Sequence, residues 1–270
     1  MSECPKQGGV TRLRRGGYGL GAMSLLGLLP LLLAHCAPVP KPQPPPLLDE
    51  AALVRRLQDN AGAWQTLKGM TRMRTVTESG SASARQALML AKPDSLRAEV
   101  ISPFGQPLLL VAAHEGAMQV YLPREQRFLE GVASPWQIAR LTGTPLTAEQ
   151  LVRLALYDVP LIAHETTSLE VRVQGYVLYL TGTVDAQRLD FDEAGRLTGT
   201  VYFRDGASLL EVHYSRFDRE RGDFPLEVAV STPQGSRFSL SYSDVQLNRE
   251  IAVERFGLQL PAGVAVEPLP

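Results

Sequence analysis

The sequence is poor in cysteine and histidine, and this shortage excludes several kinds of protein. Only two of the 270 residues are cysteine, Cys4 and Cys36, so no framework of several disulfides holds the fold together. The four histidines are widely separated, and none stands in an HxH or HxxxH spacing. The GxSxG, P-loop and GxGxxG motifs are absent as well. We therefore expect no enzymatic activity, no catalytic residues, no metal site and no cofactor.

An excess of charge of either sign is also missing. The whole chain has a net charge of -1. Without its first 35 residues it retains 23 Lys and Arg against 27 Asp and Glu, so the body is mildly acidic. Binding to nucleic acid phosphates needs clustered cations. We therefore expect no nucleic acid partner.

The N-terminal region has the layout of an export signal. Four basic groups and one acid fall in residues 1–15, and the 17 residues from 18 to 34 carry no charge. A basic segment followed by an apolar one is typical of a secretory leader. A membrane-spanning helix is the alternative, but it needs about 20 apolar residues, and Pro30 interrupts this run. We assign residues 1–35 to a signal peptide.

A cysteine ends the apolar segment and indicates a lipid anchor. Leu33, Ala34, His35 and Cys36 resemble the bacterial lipoprotein box, in which cleavage precedes a cysteine that receives a diacylglyceryl group and fatty acids such as palmitate. His35 is bulkier than the small residue usual before that cysteine. An unmodified exported protein, or an uncleaved anchor, would leave Cys36 incidental. Since Cys4 lies in the leader, Cys36 would have no disulfide partner after cleavage, and we favour its lipidation.

Proline dominates the segment after this cysteine. Six of the ten residues from Ala37 to Pro46 are proline, a composition that favours an extended, semi-rigid spacer of roughly 3 Å per residue. We therefore treat residues 36–47 as a lipidated cysteine with a tether. Residues 48–270 form the folded domain.

The domain is predicted to be mainly β, with a few short helices. Apolar positions recur at helical spacing from Leu48 to Trp64, and a strand is indicated weakly for 65–77. Ser134 before Pro135, and the capping box of Thr147 with Gln150, predict two further short helices. Short alternating segments separated by turn residues predict about eleven antiparallel strands, at 96–100, 108–113, 118–122, 126–130, 169–173, 176–181, 188–191, 199–203, 209–215, 226–230 and 237–242. So many strands indicate a large, curved sheet, with the two inserted helices across its concave face.

Three segments of the domain resemble a known family. They are "LRAEVISPFGQPLLLVAAHEGAMQVYLPREQRFLEG", "IARLTGTPLTAEQLVRLALYDVP" and the closing "FGLQLPAGVAVEPL". They are similar to the LolB branch of the bacterial LolA/LolB lipoprotein-localisation family, with the clearest likeness over residues 48–160. The resemblance implies an open half-barrel whose apolar inner face, covered by short helices, binds the acyl chains of lipoproteins.

The resemblance also implies a membrane-insertion loop. The apolar residue that protrudes from the strand-connecting turn in the family corresponds to Phe104, flanked by Pro103 and Gly105. An exposed aromatic on a tight turn suits the bilayer interface. The alternative is that Phe104 folds back onto the sheet as ordinary core. The family's turn commonly carries leucine, and this body is longer than usual, so the cargo can differ.

The implied function is that of a carrier. An outer-membrane-anchored lipoprotein, with its body facing the periplasm of the bacterial cell envelope, would take lipoprotein or lipid cargo, with a LolA-like periplasmic carrier as a partner, and deliver it to that membrane as a transport chaperone. The alternative is a structural or interaction subunit of an envelope complex that reuses the fold. The sequence does not say which strand face is inward. The candidate acyl-cavity residues are Leu108, Leu110, Trp136, Leu151 and Leu154.

Overall fold

Fourteen strands and three α-helices make up the part of the chain that a computed structural model describes, residues 47–270. The helices are α1 (Glu50–Ala63), α2 (Pro135–Thr142) and α3 (Ala148–Ala155). The strands are β1 (Thr66–Thr77), β2 (Gly80–Ala91), β3 (Ser95–Ile101), β4 (Pro107–His114), β5 (Ala117–Leu122), β6 (Arg127–Val132), β7 (Thr166–Arg172), β8 (Gly175–Thr181), β9 (Asp185–Phe191), β10 (Leu197–Arg204), β11 (Ala207–Asp218), β12 (Phe224–Ser231), β13 (Arg237–Leu247) and β14 (Val266–Pro268). Two 3-10 helices, Arg219–Arg221 and Val253–Phe256, complete the described elements.

All fourteen strands belong to one sheet, which is open and curled. Its order is β14-β6-β5-β4-β3-β2-β1-β13-β12-β11-β10-β9-β8-β7. Two antiparallel runs, β1 to β6 and β7 to β13, are joined where β1 pairs with β13. The predicted fold class, a mainly β open half-barrel with short helices, is confirmed.

The chain between β6 and β7 explains the position of the helices. β6 lies next to one edge of the sheet and β7 forms the other edge, so the segment from 133 to 165 has to cross the sheet. It crosses one face, which we call the inner face, and α2 and α3 lie on this crossing. Buried side chains of α1 and α3 join those of the strands in one hydrophobic core. The described residues belong to one compact unit with its own core, so we expect this unit to fold alone.

Both short helices begin where their capping residues predicted. The Ser134 side chain accepts a hydrogen bond from the Gln137 N–H at the start of α2. At the start of α3, Thr147 and Gln150 bond each other's backbone N–H groups, which completes the capping box. Each cap satisfies N–H groups that a helix start leaves without a partner. The first helix is also confirmed, with Asp49 as its N-cap.

The sheet differs from the prediction at two strands and in one pairing. β2 escapes pattern recognition because its first half, GSASAR, has no large apolar residue, and in its second half Leu88 and Leu90 alternate with Ala87 and Met89, which are apolar too. β14 is three residues long and pairs with β6 in parallel, so the sheet is not wholly antiparallel. With these two strands and the weakly predicted β1, the sheet exceeds the expected eleven strands.

Gly69 allows a close approach between β1 and β13. The register of this pair shifts between Met70 and Thr71, and a Cβ on residue 69 would overlap the Asp244 carbonyl oxygen. Such a shift is typical of a β-bulge, which local side chains must accommodate.

We expect Gly69→Ala to lower the free energy of unfolding by about 1–3 kcal/mol, because the β1–β13 pairing must move to admit the methyl group. Urea unfolding measures this. The matched control is Gly62→Ala in α1, where a Cβ meets nothing within 4 Å and where alanine should stabilise the helix by about 0.5–1 kcal/mol. Equal unfolding midpoints for the two variants would contradict the assigned register.

Across residues 47–270, no helix combines the length and apolar character needed to cross a membrane.

Candidate functional site

An apolar cavity of about 240 Å³ lies between the inner face of the sheet and the two crossing helices. It is larger than the engineered cavities of about 150 Å³ that stay dry and bind small apolar molecules. Five strands and both helices contribute to its wall. The lining residues are Met73, Gln86, Leu88, Leu90, Leu96, Ala98, Val100, Leu109, Val111, Arg140, Leu141, Thr142, Leu151, Ala155, Phe238 and Leu240.

Strand register arranges the cavity floor in rows. Leu88, Ala98 and Val111 stand directly opposite one another on β2, β3 and β4. Gln86 pairs in the same way with Val100, and Val100 lies opposite Leu109. Because alternate side chains of a strand share a face, every second residue of β2, β3 and β4 contributes to the floor. The row containing Ala98 leaves room above it, since alanine is short.

Tyrosines hold α3 above this floor. The Tyr214 hydroxyl of β11 donates to the Leu154 carbonyl at 3.1 Å, and the Tyr242 hydroxyl of β13 donates to the Ala155 carbonyl at 2.9 Å. Both carbonyls lie in the last turn of α3, where helix carbonyls run out of intrahelical partners, and the Leu154 carbonyl also accepts from the Tyr157 N–H at 3.2 Å. Burial raises the pKa of both phenols, so both remain neutral donors at physiological pH. The roof of the cavity is therefore fixed to the sheet.

A buried ion pair secures the segment that follows α3. Asp158 accepts from the Lys92 ammonium at 2.9 Å, and the two side chains are only 6% and 11% exposed. Arg153 also bonds Asp158, at 3.1 Å, and this hydrogen bond is the main cause that raises the pKa of Arg153. Lys92 donates in addition to the Ala61 carbonyl of α1 at 2.7 Å. The pair thus connects α1, the β2–β3 turn and α3.

Few polar groups face the cavity. Gln86, on β2, is 3% exposed and lines the cavity. The Thr142 hydroxyl has the Ile138 and Thr144 carbonyls at 3.0 and 2.9 Å as acceptors, so its hydrogen bond stays within α2 and the α2–α3 connection. Arg140 is exposed and lines both this cavity and an adjoining polar recess at the β1–β2 hairpin. The site can therefore bury a long apolar group whose polar end lies near Arg140.

Of the five cavity residues predicted from the sequence, one lines this cavity and the other four lie elsewhere. Leu151 lines the cavity. Leu154 is buried on α3 and lines a second recess, against β10 and β11. Trp136 is 70% exposed on α2. Leu108 and Leu110 do not line the cavity, because they alternate with Leu109 and Val111, which do.

Sequence reasoning missed the contribution of β2. Gln86, Leu88 and Leu90 alternate at the correct spacing for one strand face. Their neighbours Ala87 and Met89 are apolar too, so the alternation is hidden. The same difficulty affects "LLLVAA", in which both faces of β4 are apolar.

Phe104 protrudes from the turn between β3 and β4. The Ser102 N–H donates to the Gln106 carbonyl at 2.8 Å, and the Gly105 N–H donates to the Ser102 carbonyl at 3.0 Å. Gly105 has φ +81, in the left-handed region that favours glycine. The Phe104 side chain is 92% exposed, so it does not fold back onto the sheet. Val100 and Leu109, which pair close to this turn, line the cavity.

The described domain begins at the rim opposite Phe104. The turns β1–β2, β3–β4 and β5–β6 share one rim, since consecutive strands are antiparallel. The β2–β3 turn, which contacts α1 through Lys92, lies on the other rim. The Leu48 N–H also bonds the Tyr176 hydroxyl at the start of β8. We call the rim that carries the β1–β2, β3–β4 and β5–β6 turns the Phe104 rim.

Some of the predicted features concern residues that the structure does not describe. The signal peptide 1–35, Cys36 and the proline-rich tether up to residue 46 lie outside the described range. Within residues 47–270, no three His, Cys, Asp or Glu side chains are grouped so as to hold a metal ion.

The chain is similar in structure to known proteins. No family model matches the sequence, and no curated protein matches it significantly. A LolA superfamily protein from Nitrosomonas europaea is 15% identical, with a TM-score of 0.51 over 78% of this chain and 98% of its own. A DUF1329 family protein from Desulfovibrio piger is 16% identical, with a TM-score of 0.50 over 76% of this chain and 94% of its own. At these identities the likeness concerns the fold alone: the domain is similar in fold to a LolA superfamily protein, as the sequence resemblance implied.

Proposed function

We propose that this protein is a non-enzymatic carrier of acyl chains in the bacterial cell envelope, which takes up lipoprotein or lipid cargo and delivers it to the outer membrane. The observation that carries the proposal is the apolar cavity between the inner sheet face and the α2–α3 roof. Its floor is apolar on three adjacent strands, apart from Gln86.

An acyl chain is the ligand class that fits this wall. Burial of each CH2 group contributes about 0.8 kcal/mol, whether in a cavity or in a bilayer. The free energy of acyl-chain burial is therefore similar before and after a cargo moves from one apolar site to another. Transfer of this kind needs no cofactor and no energy source at this step.

The location follows from the leader and the fold together. The apolar leader and Cys36 predict export and lipidation, and Ala37 after the cysteine is compatible with outer-membrane sorting. The fold is that of a LolA superfamily protein. In this proposal the lipid anchor holds the body at the outer membrane, and a LolA-like periplasmic carrier supplies cargo.

Native mass spectrometry with lipid extraction, on residues 37–270, tests the proposal. Bound acyl species, or uptake of an added fatty acyl probe, are expected. A chain that carries no lipid and takes up no probe would instead indicate the interaction subunit, in which side chains fill the cavity.

A cavity-filling variant adds a sharper test. We expect Ala98→Phe to weaken binding of a fluorescent fatty acyl probe at least about tenfold, because the ring occupies the space above the floor. The matched control is Ala87→Phe, which adds the same group one strand away on the opposite face, opposite Met70 and Glu99. Equal affinity in both variants would place the acyl site elsewhere.

A further inference from the structure

Four arginines share the outer face of the sheet, the face opposite the cavity. Each stands next in sequence to a cavity-lining residue, so strand alternation turns its side chain outward. All four are exposed. We call this group the arginine patch; it consists of Arg72 and Arg74 on β1, Arg85 on β2 and Arg237 on β13.

The patch lacks counterions within the described part of the chain. Arginines on other strands bond an acid two positions away, as Arg172 does with Glu170 at 3.0 Å and Arg188 with Asp190 at 3.0 Å. No arginine of the patch forms an ion pair with any of residues 47–270. Serines occupy the neighbouring positions: Ser241 lies opposite Arg72, and Ser83 and Ser239 lie opposite Arg74.

Strand register also forces like charges together. Arg72 and Arg85 are directly opposite each other on β1 and β2. Like charges in that relation destabilise a sheet. The acids nearest on this face form no ion pair with Arg72 or Arg85: Glu99 is bonded to Arg97, and Asp244 lies one strand from Arg72, opposite Met70, two residues farther from the rim. An external anion would relieve the repulsion between the two arginines.

The patch lies beside Phe104. Arg85 pairs with Ile101, three residues before Phe104 on the adjacent strand. From strand spacing and rise, the two backbones are within about 10–15 Å. Arg74 and Arg237 lie farther toward the same rim, since Arg237 pairs with Val76 near the end of β1. An exposed aromatic and several cations without an ion pair among the described residues therefore lie at the Phe104 rim.

We propose that the arginine patch and Phe104 form a docking surface for an anionic membrane leaflet, in which the guanidinium groups bind lipid phosphates while Phe104 enters the apolar layer. This deepens the proposed function and rests on it, because it names the surface that brings the cavity to the bilayer. One guanidinium group can bind two oxygens of a phosphate at once, through two parallel N–H donors. Cations beside an apolar side chain favour binding to an anionic bilayer surface, because charge attraction adds to apolar burial.

The same chemistry favours a bilayer over a soluble anion or an acidic protein. A soluble phosphate would use the arginines and leave Phe104 in water. The patch extends over three adjacent strands, β2, β1 and β13, and such a spread of cations suits many small headgroups in a plane. The body as a whole is acidic, so attraction to an anionic leaflet depends on these few residues and orients the Phe104 rim toward it.

The test compares residues 37–270 with a triple variant, Arg72→Gln, Arg74→Gln and Arg85→Gln, by sedimentation with phosphatidylcholine vesicles that contain or lack phosphatidylglycerol. Each arginine near an anionic surface contributes about fivefold in affinity, so binding to the anionic vesicles should fall about 100-fold. Binding to pure phosphatidylcholine should hardly change. The matched control is Arg55→Gln, Arg219→Gln and Arg249→Gln, three exposed arginines without an ion pair among the described residues and away from the Phe104 rim. The control should lose less than about fivefold.

Other outcomes would overturn the proposal. Equal losses in the two triple variants would show that net charge, and not the patch, decides binding. Binding of polyglutamate without preference for anionic vesicles would assign the patch to an acidic protein. Competition by inorganic phosphate beyond that of sodium chloride at equal ionic strength would assign it to a soluble anion.

The acyl probe separates this proposal from the previous one. Probe uptake by the cavity should be unchanged in the arginine variant, since the patch lies on the other face. A chain that binds anionic vesicles through the patch but takes up no probe would refute the carrier function alone. A chain that takes up the probe but ignores phosphatidylglycerol would refute the docking surface alone.

Discussion

Replacing Asp158 by alanine is expected to lower the free energy of unfolding by about 3–5 kcal/mol, because it leaves the buried Lys92 ammonium without its counterion. The effect should be visible as a shift of the urea midpoint at unchanged slope. Asp158 also holds Arg153, so the segment after α3 would loosen. The cavity roof depends on that segment, and probe binding should weaken with stability.

Two comparisons separate the cost of an unpaired charge from the loss of an attraction. The double variant Lys92→Met, Asp158→Leu should recover much of the stability, because both charges are gone. Asp190→Ala removes one partner of the Arg188 pair, whose side chains are 34% and 28% exposed, and should cost less than about 1 kcal/mol. If the double variant is as unstable as Asp158→Ala, the buried charge is not the cause.

Phe104→Glu is expected to reduce membrane delivery by several hundredfold. The change removes about 2–3 kcal/mol of aromatic burial and adds roughly 1 kcal/mol of repulsion from anionic lipid. The measurement is transfer of an acylated cargo from the loaded protein to vesicles. Since Phe104 is 92% exposed, stability and cavity binding should be unchanged.

A conservative variant serves as the control. Phe104→Leu keeps an apolar side chain on the same turn, and it should retain most of the transfer. Wild-type transfer by Phe104→Glu would remove the turn from the delivery step. Loss of transfer in Phe104→Leu as well would indicate that the aromatic ring itself is recognised.

Local chemistry made several features predictable. Ser134 with Pro135, and Thr147 with Gln150, marked the helix starts because capping depends on residues within one turn. The Pro103-Phe104-Gly105 turn also depends on local chemistry: proline fixes φ at its position, and glycine permits the left-handed conformation at Gly105. The existence of many short strands followed from alternation and turn residues.

Strand phase was beyond local reasoning. In β4, Leu108 and Leu110 are as apolar as Leu109 and Val111, and only the pairing of Val100 with Leu109 decides which two face the cavity. β2 had the same ambiguity. A periodicity of two is informative only when one face is polar.

The sequence by itself predicted the elements: an exported, lipidated and proline-tethered chain, and a mainly β domain with two capped helices. The exposure of Phe104 was decided by the tertiary structure. The tertiary structure alone decided which residues meet. Lys92 and Asp158 are far apart in sequence and become neighbours through the crossing of residues 133–165. Arg72 and Arg85 become neighbours through the pairing of β1 with β2. The cavity and the unpaired arginines depend on such long-range pairing, because burial and counterions are properties of neighbours in space.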